Sequence, residues 1–222
     1  MSVATEMHGD VALVTMDDGK ANAVSMAMLD VLEPALDDAA GTAKAVVLAG
    51  RPGKFCAGFD LRAMQGGDPS AIGPLVNRGG RLIHRLYGYP LPLVAAVTGH
   101  GIALGALMLL ACDTRIGAQG PYKFGLNETA IGMALPVFGT EMAKARLAAS
   151  HVTASAVQAR IYDPHGAAEA GFLDRVVPEA DVLSEAIAHA TQMAAMPTDA
   201  YVANKLATRT ETLNAIAASL SL

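Results

Sequence analysis

The sequence has few charged residues, and those it has are not biased towards the basic side. Charged side chains make up 17% of the 222 residues, and 16 Lys and Arg against 21 Asp and Glu give a net charge of −5. A protein that binds nucleic acid normally presents a basic face, so this composition argues against nucleic acid as a partner. An anionic ligand would have to be held by a local basic patch or by backbone N–H groups.

Cysteine is also scarce. Cys56 and Cys112 are the two cysteines of the chain, both lie inside apolar runs, and their spacing suits no metal site. We therefore expect two buried free thiols in a cytoplasmic protein, with no disulfide and no bound metal. The first sixteen residues lack the basic segment followed by an apolar one that marks a signal peptide.

No apolar run is long enough to cross a membrane. Between Leu86 and Cys112 the chain has no Asp, Glu, Lys or Arg, but prolines and glycines interrupt this segment, and only Ile102–Cys112 is continuously apolar. These eleven residues would make about 16 Å of helix, against roughly 30 Å of bilayer hydrocarbon. We interpret the segment as a strand followed by a buried helix, and we expect no membrane partner.

Hydrophobic residues make up 52% of the chain, enough for a large core, and their order indicates an α/β fold. The apolar runs Ala43–Gly50 and Leu93–Thr98 do not alternate with polar residues, which is typical of strands covered on both faces. Helical spacing follows them over about Ile72–Leu86 and Leu104–Cys112, and Ser25 is a candidate cap of an earlier helix. Strands and helices that alternate in this way predict a largely parallel sheet.

The last third of the sequence is predicted to be mainly helical. Helical spacing recurs over four segments: 140–149, 153–162, 181–196 and 198–220. A short strand is expected at Phe172–Val177. We expect one domain over 1–222, with a core at about 1–180 and C-terminal helices at about 181–222. The run TRTET, Thr208–Thr212, is interpreted as a solvated helix face.

Two segments combine a strand end with a glycine-containing turn and the start of a helix. The first is KFCAGFDL, Lys54–Leu61, and the second is VTGHGIALGALMLLACD, Val97–Asp113. The first turn of a helix leaves backbone N–H groups free, and these suit an anion or a developing oxyanion, although a tight turn alone explains the first segment as well. A dinucleotide loop is disfavoured in the second, because Leu104 stands where a small residue is required. His100 is interpreted as a packed loop histidine.

Glu128 is a lone carboxylate in an apolar region. Over 116–143 the only charged residues are Lys123, Glu128 and Glu141, and Glu128 stands within YKFGLNETAIG. Such a carboxylate is exposed to solvent, paired, or placed to move protons. The structural alternative to catalysis is that Asn127 caps a short helix and Glu128 stabilises its positive end.

These segments, in this order, resemble the crotonase superfamily, the enoyl-CoA hydratases and isomerases. The likeness runs from VALVTMDDGKANAVS to AAEAGFLDRVVP. FCAGFDL and the TG…ACDTRIG block are specific to the superfamily, and FGLNETAIGMALP is most similar to the mitochondrial-type Δ3,Δ2-enoyl-CoA isomerases. The resemblance implies an α/β fold with a ββα spiral core, mostly parallel sheets and a helical C-terminal region. It also implies fatty-acid metabolism, an acyl-CoA thioester substrate whose coenzyme A enters with it, no separate cofactor, and a homotrimer or dimer of trimers.

The resemblance further implies roles for individual residues. The N–H groups of Phe59 and Leu104 would form the oxyanion hole for the thioester, and Glu128 would be the catalytic base. Family hydratases use a second glutamate, and its position in this chain is Leu107, which cannot activate water. The residues expected to contact the substrate or coenzyme A are Lys20, Ala21, Lys54, Ala57, Gly58, Asp60, Leu61 and Gly105, with Arg51 and Arg62 as further cations.

Two departures from the family pattern leave alternatives open. Leu104 replaces a usual glycine and would narrow the site, and a C-terminal region that ends at Leu222 is shorter than usual, which puts its contacts to coenzyme A in question. An isomerase of 3-enoyl-CoA that uses one glutamate is the main interpretation. An enoyl-CoA hydratase with a single glutamate and a non-catalytic acyl-CoA-binding protein are the alternatives.

Overall fold

The computed structural model of the protein describes residues 2–60, 69–220 and 222. Nine strands are assigned in these residues: β1 (Ser2–His8), β2 (Val11–Asp17), β3 (Ala45–Ala49), β4 (Gly53–Cys56), β5 (Leu93–Val97), β6 (Gly99–Ile102), β7 (Thr114–Ala118), β8 (Phe124–Gly125) and β9 (Arg175–Val177). They form a six-stranded sheet of order β1-β2-β3-β5-β7-β9 and a three-stranded sheet of order β4-β6-β8. The β1–β2 pair is antiparallel and the other pairs are parallel, as the unalternated apolar runs predicted.

The helices pack around these sheets. Those assigned in the described residues are α1 (Met26–Thr42), α2 (Pro69–Tyr87), α3 (Leu104–Ala111), α4 (Val137–Arg146), α5 (Val152–Ala156), α6 (Pro164–Ala170), α7 (Val182–Ala194) and α8 (Thr198–Leu220). Short 3₁₀ turns lie at Thr129–Ile131, Ala149–His151 and Glu179–Asp181. The C-terminal region is therefore helical, as expected. In the part of the chain described here, no helix is both long enough and apolar enough to span a bilayer.

Local sequence signals account for several of these elements. The Ser25 side chain accepts a hydrogen bond from the Met28 N–H and caps α1, whose apolar stripe is buried. All five residues of β3 are buried, which agrees with a strand covered on both faces. Cys56 and Cys112 are buried free thiols as predicted, and burial raises the pKa of each to about 12.

Two expectations about local structure are wrong in part. The segment Gly99–Ile102 was expected to be loop, but it pairs with both β4 and β8 as the centre of the second sheet. The helix expected over 153–162 stops at Ala156, because Ala159 has a positive φ of 53° and Tyr162 bridges to Phe124 in extended conformation. In both cases contacts from distant segments override the local helical or loop preference.

The C-terminal helix α8 is attached to the core by a buried ionic cluster centred on Asp113. Lys205 Nζ lies 2.7 Å from Asp113 Oδ2, and the Arg209 guanidinium lies 2.9 Å from Oδ1. Oδ2 also accepts hydrogen bonds from the Tyr201 hydroxyl and the Leu93 N–H. The side chains of Asp113 and Lys205 are only 8% and 3% exposed, so the charges are shielded from water and compensate one another.

The interpretation of Thr208–Thr212 as a solvated face is wrong for one residue: Thr208, Thr210 and Glu211 are exposed, but Arg209 is buried. Its guanidinium lies 4.4 Å from the centroid of the Tyr87 ring and donates to the Tyr87 carbonyl at 2.8 Å. The partners of Arg209 are far away in sequence, so the charged run gave no sign that one of its members is buried.

Asp113→Asn should destabilise the protein strongly. The change leaves Lys205 and Arg209 buried without a compensating carboxylate, and breaking a buried pair in this way costs about 3–5 kcal/mol. Urea denaturation should show this loss in the free energy of unfolding. The matched change Asp38→Asn, at an exposed position of α1, should stay within about 0.5 kcal/mol of the wild type. Equal urea midpoints for the two variants would contradict an anchoring role for Asp113.

Candidate active site

The first part of the site is the turn that follows β4. Gly58 has a φ of 95°, which favours glycine, and a Cβ there would lie 2.9 Å from the Cβ of Ala103. The turn runs beside the segment after β2: the Ala57 N–H donates to the Ala21 carbonyl at 3.1 Å, and the Val24 N–H donates to the Gly58 carbonyl at 2.8 Å. These bonds fix the direction of the backbone at the turn.

The second part is the start of α3. Ala103, the residue before the helix, has φ 53° and ψ −123°, a conformation that costs a residue with a Cβ about 1–3 kcal/mol. Its N–H donates to the Gly125 carbonyl at 2.9 Å, which holds the segment in place. A Cβ on Gly105 would lie 2.1 Å from the Cys56 carbonyl oxygen, so α3 can begin this close to the end of β4 only with glycine at 105. The two turns are therefore in direct contact.

Where the turns meet, two backbone N–H groups have no hydrogen-bond partner in the described residues. Leu104 is the first residue of α3, so its N–H has no partner within the helix. Neither this group nor the Phe59 N–H donates to an acceptor in the described residues. Unpaired N–H groups at such positions suit an oxygen that gains negative charge during a reaction.

Glu128 lies between β8 and the 3₁₀ turn Thr129–Ile131. Its side chain is partly buried, and its Oε2 is inaccessible to solvent and has no hydrogen-bond partner in the described residues. Burial raises the pKa of the Glu128 carboxyl above its ordinary value, and its own backbone N–H offsets only part of this rise. The carboxylate is therefore neither fully exposed nor paired with a described cation.

The alternative in which Asn127 caps a helix is not observed. The residue at the N-cap of the 3₁₀ turn is Glu128, and it makes no side-chain cap hydrogen bond. The Asn127 Oδ1 is itself buried without a partner in the described residues. The region around Glu128 thus contains two polar oxygens that the described part of the protein leaves unsatisfied.

One cavity of about 160 Å³ brings these groups together. Phe59, Leu104 and Glu128, the three residues predicted to be catalytic, all line it, and so does Leu107. Among the described residues, the remaining lining is apolar and consists of Val76, Met133, Ala134, Pro136 and Phe138. Leu104 is buried and is one of the residues that line the cavity.

None of the described residues that were predicted to contact coenzyme A lines the cavity. Lys20 and Ala57 are exposed, whereas Ala21, Lys54 and Asp60 are partly buried. The buried Gly58 and Gly105 instead bring the two turns together, as described above. Leu61 and Arg62 lie outside the described residues.

Two further residues organise the neighbouring loop. The Asp18 carboxylate accepts hydrogen bonds from the N–H groups of Lys20, Asn22 and Ala23. Asn22 is buried, and its Nδ2 donates to the carbonyl groups of Met16, Lys54 and Phe55, which ties the loop to β4. The Asp and Asn residues of the turn DDGKAN were the available signal, because such side chains bond nearby backbone groups in turns.

His100 has a packing role, as predicted. Its Nδ1 accepts a hydrogen bond from the Lys123 N–H at 3.1 Å, and its ring meets the Tyr122 ring edge-on at 5.4 Å between centroids. Desolvation, together with the charges of Lys54 and Lys123, lowers the pKa of His100. The cavity is not lined by this side chain.

Comparison with known proteins finds the same family by sequence and by structure. The family described as enoyl-CoA hydratase/isomerase matches residues 6–222. The human mitochondrial enoyl-CoA delta isomerase 1 is 31% identical over 214 residues, which cover 95% of this chain and 71% of that protein. A probable enoyl-CoA hydratase from Rhodobacter capsulatus is also 31% identical, over 227 residues that cover 100% of this chain and 86% of the relative. Isomerase and hydratase relatives are therefore equally similar.

A solved structure shares the fold almost completely. An enoyl-CoA hydratase/isomerase family protein from Pseudomonas syringae superposes with a TM-score of 0.95 at 36% identity, over 99% of this chain and 95% of the other. The ββα spiral core and mostly parallel sheets implied by the motifs are confirmed by this match. With its two apposed turns and a family match along nearly its whole length, the chain belongs to the enoyl-CoA hydratase/isomerase family, the crotonase superfamily.

Proposed function

We propose that the protein is a Δ3,Δ2-enoyl-CoA isomerase, which converts a 3-enoyl-CoA to the conjugated 2-enoyl-CoA. The observation that carries this proposal is that Glu128 is the only ionisable side chain among the described residues that line the cavity. One carboxylate can take a proton from one carbon and return it to another. Hydration needs a water molecule that is held and activated, usually between two carboxylates, and Leu107 occupies the second position.

In the proposed reaction the thioester oxygen accepts hydrogen bonds from the N–H groups of Phe59 and Leu104. Glu128 removes a proton from C2, and the electron pair moves into the dienolate, whose negative charge lies largely on the thioester oxygen. The protonated Glu128 then delivers the proton to C4, and the C3–C4 double bond becomes a C2–C3 double bond. The carboxylate is regenerated, so no other reactant is required.

The expected energies are large enough to support this mechanism. Each oxyanion-hole donor contributes about 3–4 kcal/mol, and a positioned general base contributes about 10²–10⁴-fold in rate. The apolar cavity strengthens both effects, because it excludes water and raises the pKa of Glu128, which makes its carboxylate a stronger base.

Coenzyme A carries several negative charges, so basic groups are expected at the entrance to the site. Lys20 and Lys54 lie on the two segments that the Ala21–Ala57 hydrogen bond joins, and we propose that they contact the phosphates. Arg51 is less available, because it lies 3.4 Å from the Asp17 carboxylate and donates to the Lys20 carbonyl. The homotrimer or dimer of trimers implied by the resemblance, and the cytoplasmic location expected from the two free cysteines, belong to the same proposal.

Hydration of 2-enoyl-CoA is the second candidate function, because a hydratase relative is as similar to this chain as the human isomerase. A third candidate is acyl-CoA binding without chemistry. Incubation with a panel of 2- and 3-enoyl-CoAs separates the three: the isomerase forms the conjugated product, the hydratase adds water, and the binding protein does neither.

Glu128→Gln should abolish most of the isomerase activity. The amide keeps the shape of the side chain but cannot accept the C2 proton, so kcat should fall by about 10²–10⁴-fold with little change in substrate affinity. Formation of the conjugated product measures kcat. Because burial disfavours the charged carboxylate, the neutral amide should not lower the melting temperature at neutral pH, which serves as the folding control. An active Glu128→Gln enzyme would rule out Glu128 as the base.

The rate of isomerisation should fall at acidic pH, with a midpoint set by the pKa of Glu128. The base acts in its ionised form, so kcat/KM falls as the pH decreases through its pKa. Since burial raises this pKa, the fall should come above the ordinary glutamate value of about 4.3. A pH profile of kcat/KM measures the midpoint, and any residual activity of Glu128→Gln should lack this dependence. A midpoint at or below the ordinary value would argue against a buried base.

Leu107→Glu should shift the balance of activity towards hydration. A second carboxylate in the same cavity can hold and activate water, so the ratio of hydration to isomerisation should rise by about 10²-fold, the lower end of general-base contributions. Both products are followed for each variant. Leu107→Gln, which is neutral and similar in size, is the matched control and should not produce this rise. Equal ratios in the two variants would show that position 107 does not determine the reaction type.

A further inference from the structure

A second cavity adjoins the one that contains Glu128. It has a volume of about 250 Å³, and Val76, Pro136 and Phe138 line both cavities. Leu220, near the end of α8, also lines the second cavity. The three shared residues therefore form a partition, with the candidate catalytic groups on one side and the C-terminal helix on the other.

The aromatic ring of this partition is held in place on more than one side. Phe138 is 2% exposed, and a Cβ on Gly80 of α2 would lie 2.8 Å from both the Phe138 ring and the Leu220 side chain. Leu220 is itself buried, and its carbonyl accepts a weak 3.4 Å hydrogen bond from the Arg81 guanidinium. Helices α2 and α8 thus support Phe138 from behind.

The size of the first cavity restricts what can enter. A cavity of about 150 Å³ accommodates one benzene molecule, which has six carbons. The cavity here, at about 160 Å³, has to hold the thioester carbonyl and the reacting carbons as well as any alkyl tail. Room for additional carbons exists in the second cavity, but the partition separates it from the reacting groups.

We propose that Phe138, supported by Leu220, is the specificity-determining residue that limits the substrate to short-chain acyl-CoA thioesters of about six acyl carbons or fewer. This inference rests on the proposed function for the identity of the thioester, and it adds the substrate class. Each additional methylene that finds an apolar surface improves affinity by about fourfold. The gain in affinity should therefore stop at the acyl-chain length that reaches the Phe138 ring.

The test compares the wild type with Phe138→Leu over straight-chain substrates of four, six, eight and ten carbons. For the wild type, kcat/KM on 3-enoyl-CoA should be highest at four to six carbons and should drop at least tenfold by ten. Phe138→Leu opens the partition and should move the optimum to eight carbons or more. Leu220→Ala, which removes the support behind the ring, should move it in the same direction by a smaller amount.

The matched control is Phe172→Leu, the same substitution at a fully buried core position that lines neither cavity. It should lower the melting temperature and leave the chain-length profile of the wild type unchanged. If Phe138→Leu does not fold, the chain-length profiles of kcat/KM for the wild type and Leu220→Ala still test the inference. A wild type that accepts ten carbons as well as six would overturn the inference, and so would an unchanged optimum in a folded Phe138→Leu.

Calorimetric binding of saturated acyl-CoA esters of the same lengths separates this inference from the proposed isomerase activity. If no enoyl-CoA reacts but affinity stops rising at six carbons and the limit moves in Phe138→Leu, the isomerase proposal fails and the length limit stands. If 3-enoyl-CoA is isomerised without any length limit, the isomerase proposal stands and this inference fails. Absence of binding to every acyl-CoA ester overturns both.

Discussion

The close approach of two backbone turns is the constraint on which the site depends. A side chain at Gly105 would collide with the Cys56 carbonyl oxygen, and a side chain at Gly58 would meet Ala103. Without this close approach α3 would start farther from the end of β4, and Phe59 and Leu104 would no longer line one cavity. Because Gly58 and Gly105 have no side chain, the two turns can approach closely, and this approach positions the groups to which the thioester oxygen is proposed to bind.

Polar and apolar contacts make different contributions to the rest of the protein. Hydrogen bonds and ion pairs set the positions of segments, as Asn22 does for the loop after β2 and Asp113 does for α8. Apolar side chains such as Leu107 and Phe138 define the shape of the cavity. Glu128 belongs to neither group: its Oε2 is buried without a partner in the described residues, and a buried polar atom left unsatisfied in this way costs stability.

Much of the fold could be predicted because its signals are local. The unalternated apolar runs that became β3 and β5 predicted a parallel sheet, and the helical spacing of 198–220 matches the bounds of α8. The three candidate catalytic residues, Phe59, Leu104 and Glu128, were proposed from the resemblance of their segments to the crotonase superfamily. The local patterns alone left a tight turn and a helix end open as alternatives.

The features that escaped prediction depend on contacts between distant segments. The partition formed by Val76, Pro136 and Phe138, with Leu220 beside it, exists only after α2, α4 and α8 have packed together, and no local pattern encodes that packing. Arg209 looked like an ordinary surface charge because Asp113, its partner, lies in another part of the chain. The helix expected over 153–162 ended early for the same reason, since Tyr162 bridges to Phe124.

At position 103, a residue that stabilises the protein against heat would also make the start of α3 less preorganised. Glycine adopts a φ of 53° without the cost that alanine incurs, so it would relieve the backbone there. It would also give the chain more freedom just before the Leu104 amide, whose N–H must keep a fixed direction in the proposed mechanism. Ala103→Gly would thus raise the heat resistance of the protein and lower the rigidity of the N–H donors that are proposed to bind the thioester oxygen.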